Sequence, residues 1–212
     1  VTMDLNYFLE LGINGALAGL MYALVAMGVV LVYKSSSVPN LAQGALTMVG
    51  AYVVLFYAIG LSLPMWLAIP LAILTMCLLG LGIERVALRP LAGRPIVMIL
   101  MMTLGLDIFL RALTLSIWGG NGRPMRIGIS DEPLFMGPLL LNRAYVIGAV
   151  VTLILFGLFV FFFQTRRGVV LRAIADDYMA SWSVGISVER GVALSWAMSS
   201  LVATAAGVLW GS

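Results

Sequence analysis

Asp107 and Arg111 stand four residues apart inside TLGLDIFLRALTL, a stretch with no other charge. On a helix that spacing sets the two charges one turn apart, where each partly neutralises the other. Either charge alone at the centre of an apolar helix in lipid costs roughly 2.5–3.5 kcal/mol. Two readings follow: a pair lining a polar path for a solute, or a structural pair turned towards neighbouring helices or the water boundary. A second polar group lies in VPNLAQGALTMVG, residues 38–50. Pro39 stiffens the entry, Asn40 is placed to cap a helix with its side-chain oxygen, and Gln43 and Gly44 follow into apolar sequence. An amide beside a glycine near a broken helix end suits a solute path. A cap followed by ordinary close packing is the plainer alternative.

The third polar stretch is GVVLRAIADDYMASWSVGISVERG, residues 168–191. Leu171, Ile174, Ala175, Tyr178 and Trp182 recur at helical spacing and predict one apolar stripe. Arg172 and Asp176 form an i,i+4 pair on another face, and Gly185 is a plausible terminator. The spacing predicts one short amphipathic helix. It would lie on lipid headgroups or seat in a groove of a protein partner. The adjacent Asp176 and Asp177 argue against anionic lipid, and spacing alone leaves both readings open.

Other chemistry is excluded by residue type. The chain has no histidine and one cysteine, Cys77, inside an apolar run. A zinc site, a Cys/His nucleophile pair and an intrachain disulfide are all ruled out. The only lysine, Lys34, follows Tyr33 where a phosphate-binding loop needs glycine, and an apolar helix pattern precedes it. ATP cannot be cradled there. No metal and no cofactor is implied.

The elements that must position these residues are set by composition. Of 212 residues, 62% are hydrophobic and 10% charged, against roughly 25% charged in soluble domains. Mean hydropathy is +1.10. The chain therefore reads as all-α and polytopic, with hydrocarbon as its main solvent. A crossing needs about 20 apolar residues. Spans are predicted at 11–33, 41–59, 65–84, 96–118, 144–164 and 191–212, about six in one transmembrane domain. GLSLP, residues 60–64, makes a turn with Pro64 as breaker. Residues 119–138, rich in Gly and Pro, read as an external loop. No cleavable leader is evident, since Asp4 and Glu10 replace a basic region. The final SLVATAAGVLWGS stops inside a helical pattern, so further spans are expected beyond it.

Basic residues fall unevenly between the two sides. Lys34, Arg85, Arg89, Arg94, Arg166, Arg167, Arg172 and Arg190 share one side; Arg123, Arg126 and Arg143 share the other. The positive-inside rule puts the first set, and with it residues 165–190, in the cytoplasm, and the N-terminus outside. The basic positions therefore mark topology rather than nucleic-acid binding. ERVALRPLAGRP, residues 84–95, reads as a topology anchor, with bracing of the polar helix or of an ATP-hydrolysing partner as the alternative. Small residues at spacing four, Gly15/Gly19 and Ala203/Gly207/Gly211, read as close helix packing, with a subunit seam as the alternative.

Two motifs carry a resemblance. LRAIADDYMASWSVGISVERGVAL resembles the cytoplasmic loop of permease subunits of branched-chain amino acid ABC importers, through Leu171, Arg172, Ala173, Ala175, Asp177, Gly185, Ile186, Arg190, Ala193 and Leu194. Ser181 departs from the usual alanine. INGALAGLMYALVAMGVVLVYKSSSVPNLAQGALTMVGAY, residues 13–52, resembles the same family's N-terminal span through Tyr22, Ala23, Leu24, Gly28, Tyr33, Asn40, Ala42, Gly44, Met48, Gly50, Ala51 and Tyr52. Lys34 and Asp107 depart from the family pattern.

The resemblance implies that residues 165–190 are a coupling helix, gripped by an ATP-binding subunit through Arg172, Ala175, Asp176, Asp177 and Gly185. It implies a bacterial inner-membrane assembly with a second related permease, two ATP-binding subunits and an external solute-binding protein. The cargo would be a branched-chain or other small amino acid, with urea or short amides as the neighbouring class. The candidate path residues are Asn40, Gln43, Gly44, Asp107 and Arg111. The competing expectations are an ion-coupled secondary transporter using Asp107, and a membrane scaffold that transports nothing.

Overall fold

Polar backbone in hydrocarbon must satisfy itself within one segment, so apolar runs of this length become helices. The computed structural model describes residues 5–91, 93–119, 134–136 and 139–211. Among them, six helices are long and apolar enough to cross a membrane. The first, α1, is Leu5–Ser36. Next, α2 spans Gln43–Leu55 and widens into a π turn at Phe56–Gly60. The third, α3, spans Met65–Ile83, widens at Glu84–Leu88 and ends in a 3-10 turn at Arg89–Leu91. Ile96–Trp118 is α4 and Arg143–Gln164 is α5. Two short helices follow, α6 at Arg166–Asp176 and α7 at Tyr178–Ser183, before α8 at Val188–Trp210. Two strands, β1 at Leu134–Met136 and β2 at Leu139–Leu141, pair antiparallel before α5. The six predicted spans are all present, each within a few residues of its expected bounds. Most of the expected external loop, with Arg123 and Arg126, lies outside the described residues.

The core is built around α8, which packs on α1, α2 and α3. Beside Trp196, Val202 and Leu209, many of its buried residues are small or carry hydroxyls: Ser195, Ser199, Ser200, Ala203, Thr204 and Ala206. Small side chains let backbones approach, which is how helices associate without a hydrophobic drive between them. A Cβ on Gly207 would stand 2.8 Å from the Ala51 nitrogen, and one on Gly50 would stand 2.8 Å from the Thr204 Cα. The α2–α8 seam therefore has no room for a side chain at either position. Three of the hydroxyls there return to their own helix: Ser195 donates to the Gly191 carbonyl, Ser200 to Trp196 and Thr204 to Ser200. No polar group on this face needs water.

The Ala203/Gly207 spacing is thus packing within the chain. Around Gly15 and Gly19 nothing lies within 4 Å of an added Cβ, so that face of α1 meets no described part of this chain.

Polar clips fix which ends lie together. Asn14 on α1 donates to the Leu140 carbonyl at 2.9 Å and accepts from the Asn142 N–H at 3.1 Å. Asn142 caps α5 by accepting from the Ala144 N–H at 2.9 Å. At the opposite end, Ser37 donates to the Ala175 carbonyl at 2.7 Å and Arg89 pairs with Glu189. Lys34, Arg85, Arg89, Arg94, Arg166, Arg167, Arg172 and Arg190 therefore share one end of the bundle, as the charge pattern predicts.

Candidate functional site

The arginine-rich end carries the polar segment, and it is two helices rather than the single one the spacing predicts. The chain breaks at Asp177, whose φ of −150° and ψ of 105° are extended. Its carboxylate accepts from the Ala180 N–H at 2.9 Å and so caps α7. The reason is electrostatic as well as steric. A carboxylate is unfavourable at the C-terminal end of α6 and favourable at the N-terminal end of α7. The predicted pair of Arg172 with Asp176 does not form: Arg172 donates to the Phe163 carbonyl at 3.2 Å instead. That carbonyl lies in the last turn of α5, where a cation is favoured.

Gly185 does end the segment. Its φ of +83° is left-handed, its N–H meets the Trp182 carbonyl at 3.1 Å, and the Ile186 N–H meets Ser181 at 3.0 Å. That pair of bonds is the Schellman ending that glycine favours. The break splits the apolar stripe. Leu171 and Ile174 are buried against Val188, and Ala175 is half-buried. Met179, Trp182 and Val184 are 67%, 67% and 75% exposed. Asp176 and Asp177 are exposed beside them.

The connection from α1 to α2 folds back into the bundle. Gln43 meets Gly28, which lies eight residues before the end of α1, or about 12 Å along its axis. A Cβ on Gly28 would overlap the Gln43 amide. Gln43 is buried, donates to the Ser199 carbonyl at 3.3 Å and accepts from the Ser199 hydroxyl at 2.7 Å. Its amide is therefore a latch joining α1, α2 and α8. Asn40 is buried, donates to Gln43 at 3.3 Å and accepts from the Ala42 N–H at 3.0 Å. It caps the turn before α2, whereas the helix N-cap position is held by Ala42 without a side-chain bond.

Gly44 points the other way. It is exposed, and Arg111 Nη2 lies 3.1 Å from where its Cβ would stand. Arg111 is about 22 Å along α4 from Ile96, so α2 begins deep in the span. Arg111 Nε donates to Asp107 Oδ2 at 2.8 Å, with side chains 49% and 20% exposed. Asp107 Oδ1 is buried without a partner. The structure thus brings together Gly44, Asp107 and Arg111, and sends Gln43 to a different interface.

Below this trio lies a cavity of about 410 Å³ at the arginine-rich end. Ile96, Ile99 and Thr103 of α4 line it, and Asp107 follows one turn further along the same helix. Asn40 and Ala175 also reach it, as do Glu84, Arg89, Arg94 and Glu189. Glu84 is only 5% exposed. Sequence reasoning passed over Glu84, Glu189 and Ser199. The signal for Glu84 was its place at the end of an apolar run; for Glu189 and Ser199 the partners are 100 and 156 residues distant, and no local pattern marks them. The loop after Glu84 braces the start of α8 through Arg89 and Glu189.

A family model described as "Branched-chain amino acid transport system / permease component" matches residues 12–212. The chain is 30% identical to the high-affinity branched-chain amino acid transport system permease protein BraD of Pseudomonas aeruginosa, over 98% of this chain and 72% of that protein. It is 31% identical to the corresponding LivH protein of Escherichia coli strain K12, over 97% and 71%. It is 30% identical to the probable branched-chain amino acid transport permease protein LivH of Methanocaldococcus jannaschii, over 88% and 61%. No solved structure matches the chain.

Proposed function

From the premise that this chain belongs to the family of permease components of branched-chain amino acid transport systems, we propose that it carries such amino acids inward as one subunit of an ATP-driven importer. It is a multi-pass membrane protein, with six apolar spans among the described residues. A permease component moves its solute without covalent chemistry, and this sequence holds no phosphate-binding loop of its own. ATP is hydrolysed on two partner subunits. A second related permease and an external solute-binding protein complete the assembly. The arginine-rich end faces the cytoplasm of a bacterial cell and the N-terminus faces out. Family membership gives no support to the ion-coupled reading of Asp107.

The observation that carries the proposal is the α6–α7 corner. Met179, Trp182 and Val184 stand exposed outside any span, flanked by Asp176 and Asp177. Isolated exposed apolar residues are ordinary, but a cluster of this kind rimmed by charge marks a docking surface. Residues 165–190 are the coupling segment. Asp177 and Gly185 fix its shape, Ala175 ties it to the end of α1 through Ser37, and Arg172 ties it to α5. Closure of the ATP-binding subunits pulls this corner and shifts the bundle between two states.

The trio Gly44, Asp107 and Arg111 lines the solute path. A half-exposed arginine that deep in a span does not face hydrocarbon; intramembrane charges face protein or a water-filled passage. The α2–α4 face is therefore turned to the second permease across the passage. Asn40 borders its inner end, and Gln43 holds α2 in place.

The test is reconstitution with the partner subunits in vesicles. Uptake of leucine should require ATP and the binding protein, and Asp177→Ala should leave ATP turnover while uptake drops. ATP-independent leucine uptake, or labelling of residue 177 from the cell exterior, would remove the proposal.

A further inference from the structure

The cavity at the arginine-rich end has contents that packing does not explain. Much of its wall is apolar, from Val32, Leu88, Ile99, Val188, Val192 and Trp196. At about 410 Å³ it falls within the roughly 300–1,000 Å³ usual for small-molecule sites. Glu84 lines it, 5% exposed, and among the described residues no hydrogen bond reaches its carboxylate. Its oxygens open into a largely apolar cavity with no donor bonded to them, so the charge is incompletely matched there. Arg89, which lines the same cavity, is paired with Glu189. Glu84 also opens the π turn that widens α3, a distortion that recurs at functional sites. Arg94 lines the exposed side of the cavity.

We infer that this cavity is a release station for a zwitterionic amino acid with a short branched apolar side chain, whose ammonium is received by Glu84. The inference rests on the reading of the chain as an amino acid permease and adds a site to it. The ammonium supplies the donors that Glu84 lacks. The side chain lies against Val188, Val192 and Ile99, and the carboxylate points towards Arg94. The serines do not compete for it, because Ser36 donates to Val32 and Ser37 to Ala175. A dicarboxylate would set like charge beside Glu84. Ala175 and Met179 of the coupling corner border the same space, so occupancy bears on the element proposed to meet the ATP-binding subunit.

The experiment uses the complete complex in nanodiscs, with Ile96→Cys as reporter. Ile96 lines the cavity and is 56% exposed. Maleimide labelling of that cysteine is followed above the Cys77 background, with leucine, 4-methylpentanoate or glutamate present. Leucine should slow labelling, while 4-methylpentanoate, which lacks the ammonium, should need about tenfold more to do so. Glutamate should protect no better than 4-methylpentanoate. Glu84→Gln should weaken protection by leucine about tenfold. Equal protection by leucine and 4-methylpentanoate overturns the inference, as does undiminished protection in Glu84→Gln or none at saturating leucine. Should Glu84→Gln fail to assemble, the analogue comparison decides without it. ATP-driven uptake is measured on the same preparation: its absence sinks the permease reading, whereas uptake without protection sinks only this site.

Discussion

The α2–α8 seam and the α4–α7 side of the molecule are built on opposite terms. In the seam, backbones touch and every buried hydroxyl of α8 between Ser195 and Thr204 bonds within the bundle. On the other side, a half-exposed arginine stands in mid-span beside a largely covered aspartate, a carboxylate lines an open cavity and a tryptophan faces outward. The seam is complete without a partner. The other side is not satisfied by the described residues. Rigidity and incompleteness are thus separated, and the moving work of a permease falls on the incomplete side.

The largest effect should come from the seam. Gly207→Leu places a branched side chain where the Ala51 nitrogen already stands 2.8 Å from a Cβ. Overpacking costs typically about 1–3 kcal/mol and more where backbone must move. The variant should be lost from the membrane fraction or elute as aggregate in mild detergent. A monodisperse, normally melting Gly207→Leu protein would mean that the seam is not closed.

Next in size is the corner. Gly185→Pro cannot hold the left-handed conformation, so the Schellman ending is lost and α7 is redirected. Asp177→Ala removes the cap of α7, worth about 1 kcal/mol. Both should insert and melt close to normally, because nothing in the seam is touched. Both should lose most leucine uptake while ATP turnover persists. Uptake at the normal rate in both variants would break the contrast, making the corner as inert as any surface loop.

How much of this was legible in the sequence depends on range. The six spans were, because length and apolarity alone determine them. Gly185 and the Asp107–Arg111 pair were, because each is decided within one or two helical turns. The break at Asp177 was not: periodicity sees a continuing stripe, and only the competition between two helix ends for one carboxylate decides against it. Gln43 read as a path residue because its type is polar and its neighbours apolar. Its partner Ser199 is 156 positions away, and spacing carries no information over that distance. Glu84 gained its cavity only when α4, α6 and α8 closed around it.

A smaller effect sharpens the contrast on α4. Asp107→Asn leaves Arg111 without its counter-charge. If the pair faces water in a passage, the melting temperature should barely move, since an exposed pair is worth about 0–1 kcal/mol. If it faces packed protein, the loss should be about 3–5 kcal/mol. The open setting of Arg111 at 49% exposure predicts the first outcome, together with a several-fold fall in uptake at unchanged ATP turnover. A large drop in stability would move the pair into the company of the seam.

The smallest expected change is at Glu189→Gln. The side chains of Arg89 and Glu189 are 37% and 61% exposed, so solvent screens most of their attraction and the pair contributes at most about 1 kcal/mol to stability. Val188 beside it is buried against Leu171 and Ile174, and that apolar contact holds the start of α8 whether or not the ion pair forms. The melting temperature should shift by no more than a few degrees. What changes is the company of Glu84: with Glu189 neutral, Arg89 is no longer paired and its charge bears on Glu84 in the same cavity. Protection of the Ile96→Cys reporter by leucine should therefore weaken, even though Glu84 itself is untouched. A marked loss of stability without any change in protection would show the pair to be a brace rather than part of the cavity's electrostatics.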